Sequence, residues 1–200
     1  MIKICGITDV STALSAAEAG ATAVGLVFAD SPRRVGTVAA AAIAGALPPG
    51  IERVGVFRAA DLRRLPDILA SVRLDAVQVH GLEAPSLTLD GLPVIPAFRA
   101  SFPVGLRHSR LLLDSPAGEG SGQAWDFKQV RGIALRRGLI LAGGLNPANV
   151  TEAISIVRPY GVDVSSGVEG RRGRKDVGLV RAFVQAAREA FAVMEAGART

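Results

Sequence analysis

The chain has 200 residues, 49% hydrophobic and 20% charged, enough apolar material for one sizeable core and the wrong balance for a disordered chain. A single cysteine excludes an internal disulfide and a cysteine-based zinc cage, and two histidines argue against a histidine-rich metal site. Lys and Arg outnumber Asp and Glu by 23 to 18, a net charge of +5, which suits an anionic partner such as nucleic acid, lipid or a small anion.

Short apolar runs alternate with alanine-rich amphipathic stretches along the whole chain. Residues 2–5 are predicted as a strand, 9–19 as a helix ended by Gly20, and 23–28 as a strand. A helix is predicted over 38–47, stopped by Pro48-Pro49-Gly50, then a strand over 53–57, a helix over 62–72 and a strand over 76–80. Further strands are predicted over 93–98, 110–114 and 139–142. A helix over 147–157 has Asn146 as its cap and Pro147 at its first position, a strand follows over 161–165, and a helix over 177–195 closes the chain. The apolar runs are continuous rather than alternating, as in parallel strands buried on both faces.

Eight such strands predict an α/β fold: a single (β/α)8 TIM barrel over residues 1–200, where an open doubly wound sheet would more often stop at five or six. The barrel is compact, since about 250 residues is typical. The connections after the fourth and fifth strands, 81–92 and 100–109, look too short for helices. No composition break marks a second domain. The sequence shows no signal-peptide pattern and no run of about 18 apolar residues, so a cytoplasmic protein without membrane spans is expected. The arginines are scattered and aromatics are only 4%, which argues against nucleic acid.

In a parallel barrel, chemistry sits at the C-terminal ends of the strands. Cys5 ends the first strand. Its thiolate would be a useful base, and a cationic pocket would favour it; as a lone cysteine it could equally be a small buried hydrophobe. Asp126 follows a glycine-rich stretch after the sixth strand, and reads either as an acid or as a helix cap. A thiol and a carboxyl on opposite sides of the mouth would make a base/acid pair for proton transfer beside a carbonyl or imine. Gly143-Gly144 after the seventh strand and Ser165-Ser166-Gly167 after the eighth offer backbone N–H groups and hydroxyls to a phosphate. Arg171-Arg172-Gly173-Arg174-Lys175 lies just beyond and could steer an anion inward. His80, Asp114 and Asp163 also sit at or within strand ends without a settled role, and Phe28, Phe57 and Trp125 are candidates for an apolar wall.

In this order the strand ends resemble the phosphoribosylanthranilate isomerase family of tryptophan biosynthesis. The resemblance is carried by Lys3-Ile4-Cys5-Gly6-Ile7-Thr8, Gly25-Leu26-Val27-Phe28 with Ser31-Pro32-Arg33, and Val54-Gly55-Val56-Phe57. It continues through Val77-Gln78-Val79-His80-Gly81, Leu111-Leu112-Leu113-Asp114, and Gly120-Ser121-Gly122 running to Trp125-Asp126. Ala142-Gly143-Gly144-Leu145-Asn146-Pro147 with Asn149-Val150, Val162-Asp163-Val164-Ser165-Ser166-Gly167-Val168-Glu169 and Lys175-Asp176 complete the set. Together they span almost the whole chain.

The resemblance implies an Amadori rearrangement of N-(5-phosphoribosyl)anthranilate to 1-(2-carboxyphenylamino)-1-deoxyribulose 5-phosphate. It implies Cys5 as base, Asp126 as acid and Arg33 as partner of the anthranilate carboxylate. Gly143, Gly144, Ser165, Ser166 and Gly167 would hold the phosphate. No cofactor and no metal are implied, and the partner is a small phosphorylated substrate rather than nucleic acid or membrane. The sequence leaves monomer or dimer open. Arg171-Arg172 stand where the family often carries a proline-bearing segment before Gly-x-Lys-Asp. An indole-glycerol-phosphate synthase would want a catalytic lysine at a strand end, for which Lys3 is the one candidate. A sugar-phosphate epimerase would want a metal-binding histidine set. A basic barrel without enzymatic activity would leave Cys5 and Asp126 unexplained.

Overall fold

The structure, a computed structural model, describes residues 1–82, 87–101, 103, 106–115, 126–130 and 138–197. Eight strands form its centre: β1 (Ile2–Cys5), β2 (Ala23–Val27), β3 (Glu52–Arg58), β4 (Ala76–His80), β5 (Leu92–Arg99), β6 (Leu111–Asp114), β7 (Leu139–Leu141) and β8 (Gly161–Val164). Each pairs in parallel with the next, and β8 pairs with β1, so the sheet closes into a barrel.

Strand residues alternate between two environments, as the pleat requires. On β1, Ile2 and Ile4 face outward into the helix-facing core, while Lys3 and Cys5 face the barrel interior. The lower interior is a plug of small and branched side chains, among them Ala23, Val54, Ala76, Ile95, Leu112 and Ile140. Above it sit Cys5, Val27, Ala29 and Val56. At the base, Arg110 ties the start of β6 to Glu52 at the start of β3 by two hydrogen bonds of 2.7 Å.

The outer layer holds α1 (Val10–Ala19), α2 (Thr37–Ala46), α3 (Leu65–Leu69), α4 (Phe127–Val130), α5 (Val150–Val157) and α6 (Val177–Ala196). Asp9 caps α1, and Asp176 caps α6 by accepting from the Leu179 N–H at 2.9 Å. The long α6 packs against both α1 and α5. In the connection after β4, a two-residue strand, Thr88–Leu89, runs antiparallel to β5. Neither this connection nor the one after β5 contains a helix among the described residues, in keeping with the shortening expected.

Two helices differ from expectation. The segment predicted as one helix over 62–72 is a 3-10 turn, Ala59–Arg64, followed by the short α3. Pro66 sits in the first turn of α3, where its ring and missing N–H set the start of the helix. The helix predicted from Pro147 begins at Val150 instead. Asn146 Oδ1 accepts the N–H groups of Ala148 and Asn149, and Asn149 Oδ1 accepts that of Asn146, so a side-chain-locked turn replaces the first helical turn.

Candidate active site at the barrel mouth

An open cavity lies at the C-terminal ends of the strands, where the loops that follow them converge. Its wall includes Cys5, Arg33, Phe57, His80, Asp114 and Asp163, with Gly143, Gly144, Ser165 and Ser166 on the β7–β8 side. Cys5 is 7% exposed and lies at the top of β1, where it lines this space. Burial pushes the thiol up, and the Asp163 carboxylate pushes it further, while the ammonium groups of Lys3 and Lys175 pull it back. The net effect is upward, which corrects the expectation that the cationic surroundings favour the thiolate: desolvation outweighs them.

Four of the five phosphate candidates, Gly143, Gly144, Ser165 and Ser166, lie together on the cavity wall. Gly143 and Gly144 both hold positive φ, +88° and +67°, conformations that a side chain would strain. A Cβ on Gly143 would meet the Ser115 backbone nitrogen and the Asp114 carboxylate. Asn149 Nδ2 donates to the Gly144 carbonyl at 2.9 Å and fixes this turn. Ser165 Oγ donates to the Cys5 carbonyl at 3.2 Å, linking the end of β8 to the end of β1. Gly167 is not on the cavity wall; it packs against the Leu145 carbonyl and so braces the β7 turn against the β8 turn.

Arg33 crosses over Gly6, beside Cys5: a Cβ on Gly6 would lie 2.8 Å from Arg33 Cδ. The guanidinium bonds Glu169 through Nε at 2.6 Å and Nη2 at 3.1 Å. Glu169 also accepts from Lys175 Nζ at 3.0 Å and from the Gly173 N–H at 3.0 Å. The basic run is therefore not a uniform solvated surface. Strands Glu169–Arg171 and Arg174–Lys175 form a hairpin, with Arg171, Arg172 and Arg174 exposed and Lys175 folded inward onto the Ser165 carbonyl at 2.9 Å. Burial lowers the Lys175 ammonium from its ordinary value, though Glu169 opposes this.

Asp126 is brought to a different place from Cys5. It is exposed, stands just before α4 and accepts the Lys128 N–H at 3.1 Å; it is not on the cavity wall. Trp125 lies outside the described residues. Phe28 is buried behind the wall and stacks on Phe57, with ring centroids 5.1 Å apart. Among the described residues, no group of three or more His, Cys, Asp or Glu could hold a metal ion, and no helix is long and apolar enough to cross a membrane.

Sequence reasoning named Lys3, His80 and Asp163 separately but did not join them, with Gln78, into one polar layer at the floor of the cavity. Lys3 Nζ, fully buried, bonds Asp163 Oδ1 and Gln78 Oε1, each at 2.9 Å. The Gln78 amide nitrogen lies 2.9 Å from His80 Nε2. Because Gln78 spends its oxygen on Lys3, its amide donates to the imidazole. The available signal was the two-residue alternation of β1, which sends Lys3 and Cys5 to the same face.

A sequence model described as N-(5'phosphoribosyl)anthranilate (PRA) isomerase matches residues 2–186. The N-(5'-phosphoribosyl)anthranilate isomerase of Desulforudis audaxviator is 44% identical over 207 residues, covering 96% of this chain and 99% of its own. The crystal structure of phosphoribosyl anthranilate isomerase from Thermotoga maritima superposes with a TM-score of 0.82 at 36% identity, covering 94% of this chain and 98% of its own. A phosphoribosyl anthranilate isomerase solved in complex with reduced 1-(o-carboxyphenylamino)-1-deoxyribulose 5-phosphate gives a TM-score of 0.80 at 36% identity, with the same coverage.

Proposed function

The chain belongs to the N-(5'-phosphoribosyl)anthranilate isomerase family, and from that premise we propose how the residues of its barrel mouth divide the reaction. It is an isomerase of tryptophan biosynthesis that turns N-(5-phosphoribosyl)anthranilate into 1-(2-carboxyphenylamino)-1-deoxyribulose 5-phosphate. The single observation that carries the division of roles is that Cys5 lines the same cavity as the glycines and serines of the β7 and β8 ends.

The phosphate sits among Gly143, Gly144, Ser165 and Ser166, with Gly167 supporting the turn. Backbone N–H groups and hydroxyls donate to its oxygens. Arg33 takes the anthranilate carboxylate. Its Nε and Nη2 are held by Glu169, which presents the Nη1 edge to a second anion. Asp126 gives a proton to the ribose ring oxygen as the C1–O bond breaks. The anilino nitrogen supplies the electron pair for the C1=N bond of the Schiff base. Cys5, as thiolate, takes the proton from C2. The C2–H electrons form C1=C2, the iminium becomes neutral, and the enolamine then tautomerises to the ketone. The rearrangement is internally balanced and consumes no other reactant. Support for Asp126 comes from the family motif and its place at the start of α4, on the mouth side of the barrel, not from contact with the cavity wall. The proposal includes a cytoplasmic location, because a substrate that carries both a phosphate and a carboxylate does not cross a bilayer unaided.

The test follows loss of the fluorescent substrate with wild type and Cys5→Ser. The variant is expected to lose about a hundredfold or more in kcat while its circular dichroism is unchanged. Full activity in the folded variant would remove Cys5 as the base.

A further inference from the structure

The buried ammonium of Lys3, which shares the inward face of β1 with Cys5, has no part in the mechanism above. Lys3 is 0% exposed, a position an ammonium rarely occupies unless it is paired. Its two partners come from distant strands, Asp163 on β8 and Gln78 on β4, both at 2.9 Å. Lys3 and Cys5 also lean over one point on β2: a Cβ at Gly25 would stand 2.8 Å from Cys5 Sγ and 3.2 Å from Lys3 Cε. Glycine at that position lets the two side chains share the interior.

We propose that Lys3, held in place by Asp163 and Gln78, is a positioning residue that supplies the positive charge against which the Cys5 sulfur gives up its proton. This rests on the reading of Cys5 as the base. The ammonium stays charged because Asp163 and the sulfur together overcome the cost of its burial and hold it above the ordinary lysine value. The charged groups that act on the sulfur are Lys3 from its own strand, Asp163 from β8 and Lys175 from the hairpin beyond β8. Lys3 is the strongest of the three. The cavity wall also carries Arg33 and Asp30 from beyond β2, Arg58 from β3, His80 from β4 and Asp114 from β6. Lys3 and Asp163 act in opposite senses, so the pair sets the thiol by the difference between them.

The experiment measures the rate of Cys5 alkylation by iodoacetamide against pH, in which the thiolate displaces iodide and forms an S–C bond. It is run on wild type, Lys3→Met, Asp163→Asn and the double variant, each checked for folding by circular dichroism. Lys3→Met is expected to move the profile to higher pH and slow alkylation at pH 8 by about tenfold. Asp163→Asn is expected to move it to lower pH. A purely structural role would move both in the same direction or neither, and either result overturns the proposal. If a single variant fails to fold, the double variant, with no unpaired buried charge, carries the test. Its profile moves upward if Lys3 dominates, and an unchanged profile overturns the proposal. Alkylation reads the thiol directly, so active Cys5→Ser would refute the base assignment while this measurement still judged the Lys3 coupling.

Discussion

Glu169 holds Arg33 by two hydrogen bonds, 2.6 and 3.1 Å long, joining residues 136 positions apart in the chain. One stands in the loop after β2 and the other in the hairpin after β8, so the pair straps two sectors of the mouth together. The geometry is the two-pronged one that guanidinium and carboxylate favour.

The strap should show in acid. Burial would raise the Glu169 carboxyl, but Arg33, the Gly173 N–H and Lys175 outweigh it and hold the group at about 2 rather than its ordinary 4.5. A carboxyl lowered in the folded state stabilises above its unfolded value and loses that contribution as pH falls through its folded value. Thermal unfolding measured between pH 5 and pH 2 should therefore show wild type losing stability faster than Glu169→Gln. Parallel curves would refute the coupling.

Arg33→Ala should raise KM for substrate by about tenfold or more, with a smaller change in kcat, because a charge-assisted bond to a carboxylate is worth on the order of 1.5–3 kcal/mol. Steady-state fluorescence assays measure both constants. An unchanged KM would count against the carboxylate role.

Asp126→Asn separates acid catalysis from helix capping. Asparagine still caps well, so the melting temperature should hold. Loss of the transferable proton should lower kcat by about a hundredfold. A drop in stability with kcat intact would leave Asp126 as the cap of α4 alone.

Gly143→Ala tests the β7 turn. At φ +88° with Ser115 and Asp114 in the way, the methyl group should cost at least about 1 kcal/mol. It should also weaken competitive inhibition by inorganic phosphate. Unfolding curves and phosphate titration read the two effects, and wild-type inhibition would remove Gly143 from the phosphate cradle.

The strands were the most legible elements. β1 and β4 coincide with their predicted spans, 2–5 and 76–80, because parallel strands buried on both faces must read as unbroken apolar runs. The turns after β7 and β8 were legible for a related reason: glycines and small polar residues immediately after an apolar run mark where a parallel strand ends at the barrel mouth. α3 and α5 were less so. Pro66 in one case, and the mutual bonds of Asn146 and Asn149 in the other, decide the helix start by local geometry that periodicity does not register. The Arg33–Glu169–Lys175 cluster was hidden because its members meet only after the barrel closes. Within the dense basic run, nothing in the one-dimensional sequence distinguishes Lys175, folded inward, from its three exposed arginines.

Closure of the ring also bears on how errors are tolerated. With β8 bonded to β1 and β4 to β5, no strand of the ring is left with an unpaired rim on which a stray peptide could template. A one-residue slip of β1 would exchange Lys3 and Cys5 for Ile2 and Ile4, stranding an ammonium against greasy helices and breaking bonds to both neighbours at once. The alignment that places the Cys5 sulfur is thus policed by the whole circumference rather than by any one turn.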